Sequence, residues 1–226
     1  AVKFLYTDLR KQTPEEAFPL LYTARVAGSE LFLSKKDFQS ATTMLKDAFV
    51  FAPGARERQS ALKALANAYA RADRKESALN AAEKYLEYYP DAKDLPEVRL
   101  QAARLCAELS KNDEACRLYE LTISEQGADA ETRAAAALEA ARLLARDKNN
   151  PAAEKKCRLA LELARENKTK AEAQLVLDGM LSASGKHLEA GEAFLKTAEK
   201  YPEVKKSALK QSIGAFAKGG GYEKAL

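Results

Sequence analysis

The sequence has no tryptophan, a single histidine and three cysteines, which leaves little for histidine- or cysteine-based catalysis and for zinc-type metal sites. His187 has no nucleophile or ligand set beside it in sequence, so it is read as a lone surface histidine. Cys106, Cys116 and Cys157 fit no zinc-ligand spacing, and one histidine cannot complete a tetrahedral site. Three thiols cannot all pair within one chain; the spacing allows a Cys106–Cys116 bridge, and the redox compartment is left open. Cys106 and Cys157 fall at core positions, where cysteine acts as a small hydrophobe. No apolar run approaches the ~18 residues of a membrane span. Glycine is sparse, and Gly219-Gly220-Gly221 lacks the strand and residue order of a phosphate loop, so it reads as a flexible turn. The chain opens Ala1-Val2-Lys3 without methionine or a charged-then-apolar leader, and is read as starting inside a longer protein or after a cleavage.

What the chain does contain is alanine, leucine, glutamate, lysine and arginine, the residues that lose least freedom in a helix. With 46% hydrophobic residues there is material for a packed core, and disorder is excluded. The expected fold class is all-α. Net charge is +4 with pI near 8.8, and both signs are interspersed along nearly every helix. That pattern describes a solvated mixed-charge surface and gives no nucleic-acid footprint.

An internal period runs through the chain. A small residue, a bulky one, another and then a breaker recur as Ala41, Leu45, Ala48, Pro53; Ala78, Ala82, Tyr85, Pro90; Ala115, Tyr119, Thr122, Gly127; Ala153, Cys157, Ala160, Arg165; and Ala190, Phe194, Thr197, Pro202. A sixth set begins at Ala225. The leading alanines, 41, 78, 115, 153, 190 and 225, are separated by 37, 37, 38, 37 and 35 residues. Upstream of each lies a second amphipathic stretch: Gly28-Ser29 then Phe32, Leu65-Ala66 then Tyr69, Ala102-Ala103 then Cys106, Ala140-Ala141 then Leu144, Leu177-Asp178 then Leu181, and Ser212-Ile213 then Phe216. Each unit is therefore a helix A and a helix B. Polar turns join them at Lys35 to Asp37, Asp73 to Lys75, Lys111 to Asp113, Asp147 to Asn150, Ser184 to Lys186 and Lys218 to Gly221. Asp37, Asn112 and Asp113 are expected to cap the B helices that follow. Pro53, Pro90 and Pro202 end B helices by blocking continuation. Alanine at the front of helix B permits close approach, and Phe32, Tyr69, Tyr119 and Phe194 fill the space between neighbours.

The helix-A small residue and aromatic, the helix-B alanine, the following Phe or Tyr and the closing proline resemble the tetratricopeptide repeat family from about Tyr22 onward. The units run about three residues longer than the usual 34, and several lack the aromatic or the proline. The resemblance implies a right-handed α-solenoid of antiparallel helix pairs, one domain over 1–226. Five repeats are placed at about 22–56, 59–93, 96–130, 134–168 and 171–205, with partial repeats at 1–14 and 206–226. Val2, Tyr6, Leu9 and Pro14 repeat the helix-B pattern, so the chain reads as part of a longer array. The long, degenerate repeats resemble those of bacterial envelope and assembly proteins, which favours a bacterial periplasm or envelope over the cytoplasm.

In this family helix A lines the concave face. Lys63, Asn67 and Arg71 share one helix face, and Arg104, Arg142 and Arg146 continue on later A helices, an expected basic groove for a protein or peptide partner, acidic or ending in a carboxylate. Lys63 and Asn67 match the first two members of the carboxylate clamp of chaperone-binding members; Gln101, Ala135 and Glu139 depart from the rest. Glu30, Glu97 and Glu108 stand nearby, and the alternative is a salt-bridged or solvated face. Phe49, Val50 and Phe51, with Tyr85 and Tyr89, read as packing residues, and Tyr88 as a candidate contact. The expected function is a non-enzymatic interaction scaffold without cofactor or metal. The alternatives are a structural subunit of an envelope assembly and a regulatory repeat domain of a larger enzyme.

Overall fold

The computed structural model describes residues 14–221 and Glu223; the pattern residues Val2, Tyr6, Leu9 and Ala225 lie outside the described residues. Every regular element described is helical. The A helices are α1 (Phe18–Ser34), α3 (Ala55–Arg71), α5 (Leu95–Glu108), α7 (Ala130–Arg146), α9 (Asn167–Ala183) and α11 (Lys205–Lys218). The B helices are α2 (Phe38–Phe51), α4 (Lys75–Tyr88), α6 (Asn112–Ser124), α8 (Asn150–Leu163) and α10 (His187–Lys200). Short 3-10 turns at Glu15–Ala17 and Pro202–Val204 precede α1 and α11.

The chain divides into two compact units, one ending at Lys111 and the other beginning at Asn112. In the first, α1 to α5 pack consecutively, each on the next; in the second, α6 to α11 do the same. Within the second unit α9 also touches α7 and α11, which sets three A helices side by side.

The turn between A and B is the same backbone device in every unit. One residue takes the left-handed conformation: Lys36, Asp73, Ser110, Lys148, Gly185 and Gly220, with φ between 54° and 84°. The N–H of the next residue then reaches back to a carbonyl five positions earlier: Asp37 to Phe32 (2.9 Å), Arg74 to Tyr69 (2.9 Å), Lys111 to Cys106 (2.8 Å), Asn149 to Leu144 (2.9 Å), Lys186 to Leu181 (3.0 Å) and Gly221 to Phe216 (2.8 Å). This is the Schellman arrangement, which satisfies carbonyls left over at a helix end. The acceptors are the helix-A residues that follow each pair in the sequence pattern; Tyr69, Cys106 and Phe216 are buried, and Phe32, Leu144 and Leu181 half-buried. Left-handed residues at 36, 73, 110, 148, 185 and 220 step by 37, 37, 38, 37 and 35, the same intervals as the leading alanines.

Those alanines are sealed. Ala41, Ala78, Ala115, Ala153 and Ala190 are each 0% exposed. Leu45, Ala82, Tyr119, Cys157 and Phe194 one turn later are buried as well, as are Ala48, Tyr85, Thr122, Ala160 and Thr197. On helix A the second residue of the first five pairs, Ser29, Ala66, Ala103, Ala141 and Asp178, is buried, whereas in the sixth pair Ser212 is buried and Ile213 is exposed. Packing at interior density leaves no room for a larger side chain there.

Capping is uneven. Asp37 accepts from the Ser40 N–H (3.1 Å) and caps α2 as expected. Asn112 and Asp113 lie inside the first turn of α6 rather than ahead of it. Asp129, not anticipated, caps α7 by accepting from the Glu131 (2.9 Å) and Thr132 (3.0 Å) amides. All three cysteines carry free thiols. Burial pushes the Cys157 thiol up to about 11, so it stays protonated at neutral pH. Phe51 packs on Phe18 with ring centroids 5.9 Å apart, Tyr85 packs on Tyr89 at 5.3 Å, and Tyr88 is 51% exposed.

Candidate binding groove

Two residues before each Schellman acceptor, helix A presents a position turned away from the core. Counting back from 32, 69, 106, 144, 181 and 216, it carries Glu30, Asn67, Arg104, Arg142, Gly179 and Gly214. None of the six is buried. The sequence-predicted residues Asn67, Arg104 and Arg142 thus occupy one repeat position on three helices, while Lys63, Arg71 and Arg146 lie one turn to either side.

Most of the expected basic residues already have work inside the molecule. In the first unit the Lys63 ammonium pairs with Asp94, the residue preceding α5. Asp94 also accepts from the Tyr85 hydroxyl and from Gln59 Nε2 (3.3 Å), and Gln59 reaches Tyr85 Oη at 2.5 Å. Burial works to raise the Asp94 carboxyl, but the bonds from Lys63 and Tyr85 outweigh it and hold its pKa below the ordinary value. Burial first, and Asp94 second, push Tyr85 up to about 12. A carboxylate ligand at Lys63 would have to displace Asp94. Arg71 donates to the Leu33 carbonyl (3.4 Å) and lies over the Phe38 ring at 5.8 Å. Asn67 and Arg104 are exposed.

In the second unit Arg142 bridges Glu139 (3.2 Å) and Glu172 (2.7 Å), and Arg146 is exposed. Below Arg142 opens a groove of ≈ 420 Å³, within the range of a site for a few side chains. Its floor is α9, through Leu175, Val176, Gly179, Met180 and Ala183. One wall is Arg142 and Ala145 of α7 with Asn150; the other is Ser207 and Gln211 of α11. Gly179 is decisive for the shape. A Cβ built there meets nothing within 4 Å, so the glycine serves no internal packing and leaves bare backbone at the groove floor. Gly214, one repeat on, is equally open. Sequence reasoning missed both because it tracked charge along this face. The available signal was a glycine inside a helix where the previous units carry long side chains.

Among the described residues no three His, Cys, Asp or Glu side chains converge to hold a metal ion, and no helix is long and apolar enough to cross a membrane. His187 starts α10, its Nδ1 3.1 Å from the Ser182 hydroxyl.

No protein-family model and no curated protein matches the sequence. Solved structures do. A tetratricopeptide repeat protein from Parabacteroides merdae ATCC 43184 superposes with TM-score 0.69 at 18% identity, covering 91% of this chain and 76% of the other. PilW, a type IV pilus biogenesis factor, gives 0.69 at 16% identity over 90% of this chain and 88% of its own. BtubC from P. vanneervenii gives 0.66 at 16% identity over 87% and 89%. At such identities the likeness speaks to architecture alone. The chain has the helix-repeat fold of tetratricopeptide repeat proteins.

Proposed function

We propose that the chain is a non-catalytic protein-binding scaffold, and that the groove over α9 is where a peptide or protein segment seats. The observation that carries this is the open floor at Gly179. A glycine in a helix interior costs roughly 0.5–1 kcal/mol relative to alanine, and here no neighbouring atom requires it. A ligand side chain or backbone that approaches α9 closely does. The floor is apolar, and the wall cation Arg142 is neutralised by Glu139 and Glu172. The favoured partner therefore brings an apolar anchor, with any carboxylate competing against those two glutamates for Arg142. A rigid groove orders little on binding, so apolar contact converts to affinity with small entropic loss.

The test is selection of a displayed random peptide library on the intact chain, followed by calorimetric titration of the enriched peptide into wild type, Gly179→Ala and Gly179→Leu. Both substitutions favour the helix, and only the second fills the groove. Binding kept by wild type and lost by Gly179→Leu, at undiminished thermal stability, supports the site; equal binding by all three refutes it.

A further inference from the structure

The groove over α9 gives a ligand very little to hydrogen-bond. Its floor is the interior of an α-helix, whose backbone N–H and C=O groups are spent on one another. Leu175, Val176, Gly179, Met180 and Ala183 bring no nitrogen or oxygen in their side chains. On the walls the polar groups are already engaged, Arg142 with Glu172 (2.7 Å) and Glu139 (3.2 Å), and Gln211 with Ser207 (3.3 Å). Asn150 completes the polar lining among the described residues. The repeat position that carries Glu30, Asn67, Arg104 and Arg142 in the four preceding units carries Gly179 here, so the floor lacks the long polar side chain of those units.

This scarcity dictates the backbone state of an occupant. An extended segment brings one N–H and one C=O per residue that must find partners on burial, and the groove has few to give. An α-helix satisfies those groups within itself and asks only for apolar contact. The dimensions agree. α7 and α11 both touch α9, and two helix spacings of about 8–10 Å each leave room between them for one helix of about 10 Å diameter. From Glu172 to Ala183 the lining of α9 runs about 16 Å at ~1.5 Å per residue, or about three helical turns. Within that stretch the bare backbone at Gly179 lets a ligand helix come closer than a side chain would allow, as in helix pairs that pack through glycine. Charge agrees as well. The cation and the anion of the lining, Arg142 and Glu172, bond to each other, so an uncharged face fits and a charged one would lose its water for little return.

We propose that the segment seated over α9 is an amphipathic α-helix of about three turns, its uncharged apolar stripe laid on Gly179 at i, i+3, i+4 and i+7 spacing. This rests on the reading of the groove as the partner site, and adds the conformation and chemistry of the partner.

The test pans two displayed libraries on the intact chain. One holds Ala/Glu/Lys helices about 15 residues long, enough to be partly helical in water, randomised among apolar residues along one stripe. The other has the same length and apolar set with proline at every third position, which holds it extended. The helical library alone yields binders. In the best of them, a proline placed mid-helix on the solvent side breaks the helix and keeps every stripe side chain; it weakens calorimetric affinity at least about tenfold. An i,i+4 side-chain staple on that same side strengthens binding, because less order is lost. Gly179→Leu, shown by circular dichroism to stay folded, separates the two readings. A peptide that Gly179→Leu abolishes but the proline leaves unharmed, or the staple weakens, overturns the helix and keeps the groove. A helical peptide indifferent to Gly179→Leu overturns the groove and this proposal with it. Enrichment of the proline library at the groove, or of neither library, also overturns the proposal.

Discussion

Each A-to-B turn forces one residue into the left-handed region, and four of the six carry a Cβ there: Lys36, Asp73, Ser110 and Lys148. An L-residue in that conformation is penalised by roughly 1–2 kcal/mol, whereas glycine adopts it freely at an unfolded-chain entropy cost of roughly 0.5–1 kcal/mol. Lys148→Gly is the cleanest perturbation, because φ is 61° and the residue is exposed. The difference predicts a gain of about 0.5–1 kcal/mol, or a few degrees at most in Tm for a chain of this size. Gly185 has φ 84° in the next repeat, so Gly185→Ala should lose about 1 kcal/mol for the same reason. Urea unfolding followed by circular dichroism reads both, with a common slope confirming that only stability changed. Opposite signs are required. If Lys148→Gly destabilises by the ~1 kcal/mol of a glycine in a helix interior, or Gly185→Ala is silent, the turn is not the device described.

Two further substitutions probe the second unit. Asp178 is 2% exposed and accepts only from neutral donors, Thr197 Oγ1 (2.6 Å) and Gln174 Nε2 (2.9 Å). Burial raises its pKa above the ordinary carboxyl value despite those bonds. With the folded pKa above the unfolded one, its contribution is fully present below the unfolded pKa near ~3.9 and is lost as pH rises through the folded value. Asp178→Asn, which keeps an acceptor for Thr197, should match or exceed wild-type stability at neutral pH, with the advantage vanishing in acid; a large loss at neutral pH would contradict this. Gly191 presents its backbone to the buried Phe216 ring, and a Cβ there would lie 2.6 Å from Phe216 Cε1. Gly191→Ala should cost roughly 1–3 kcal/mol by overpacking, and pairing it with Phe216→Leu should recover part of that loss; strict additivity in a double-mutant cycle would show that the two do not meet.

The helix register was readable because burial selects side-chain size. Small residues at Ala41, Ala78, Ala115, Ala153 and Ala190, and bulky ones at Phe32, Tyr69 and Phe216, repeat the interval that the backbone turns later display. The turn conformation itself was hidden wherever Lys36, Asp73, Ser110 and Lys148 stand in it, since only glycine announces a left-handed residue. The groove was half readable. Helical spacing aligned Asn67 with its neighbours, and Glu139 was in view three residues from Arg142, but Asp94 and Glu172, which pair with Lys63 and Arg142, sit 31 and 30 residues away. Charge read along one helix cannot see across to the next. Gly179 was passed over because glycine bears no charge, though its value lies in the space it leaves.

The most direct measurement is an amide footprint of the selected peptide on the isotopically labelled chain. The scaffold account predicts shifts concentrated on Leu175 to Ala183, with Arg142, Ser207 and Gln211 at the margins, and none of them in Gly179→Leu. Shifts that instead centre on the B helices, or that survive the filled groove unchanged, would contradict it.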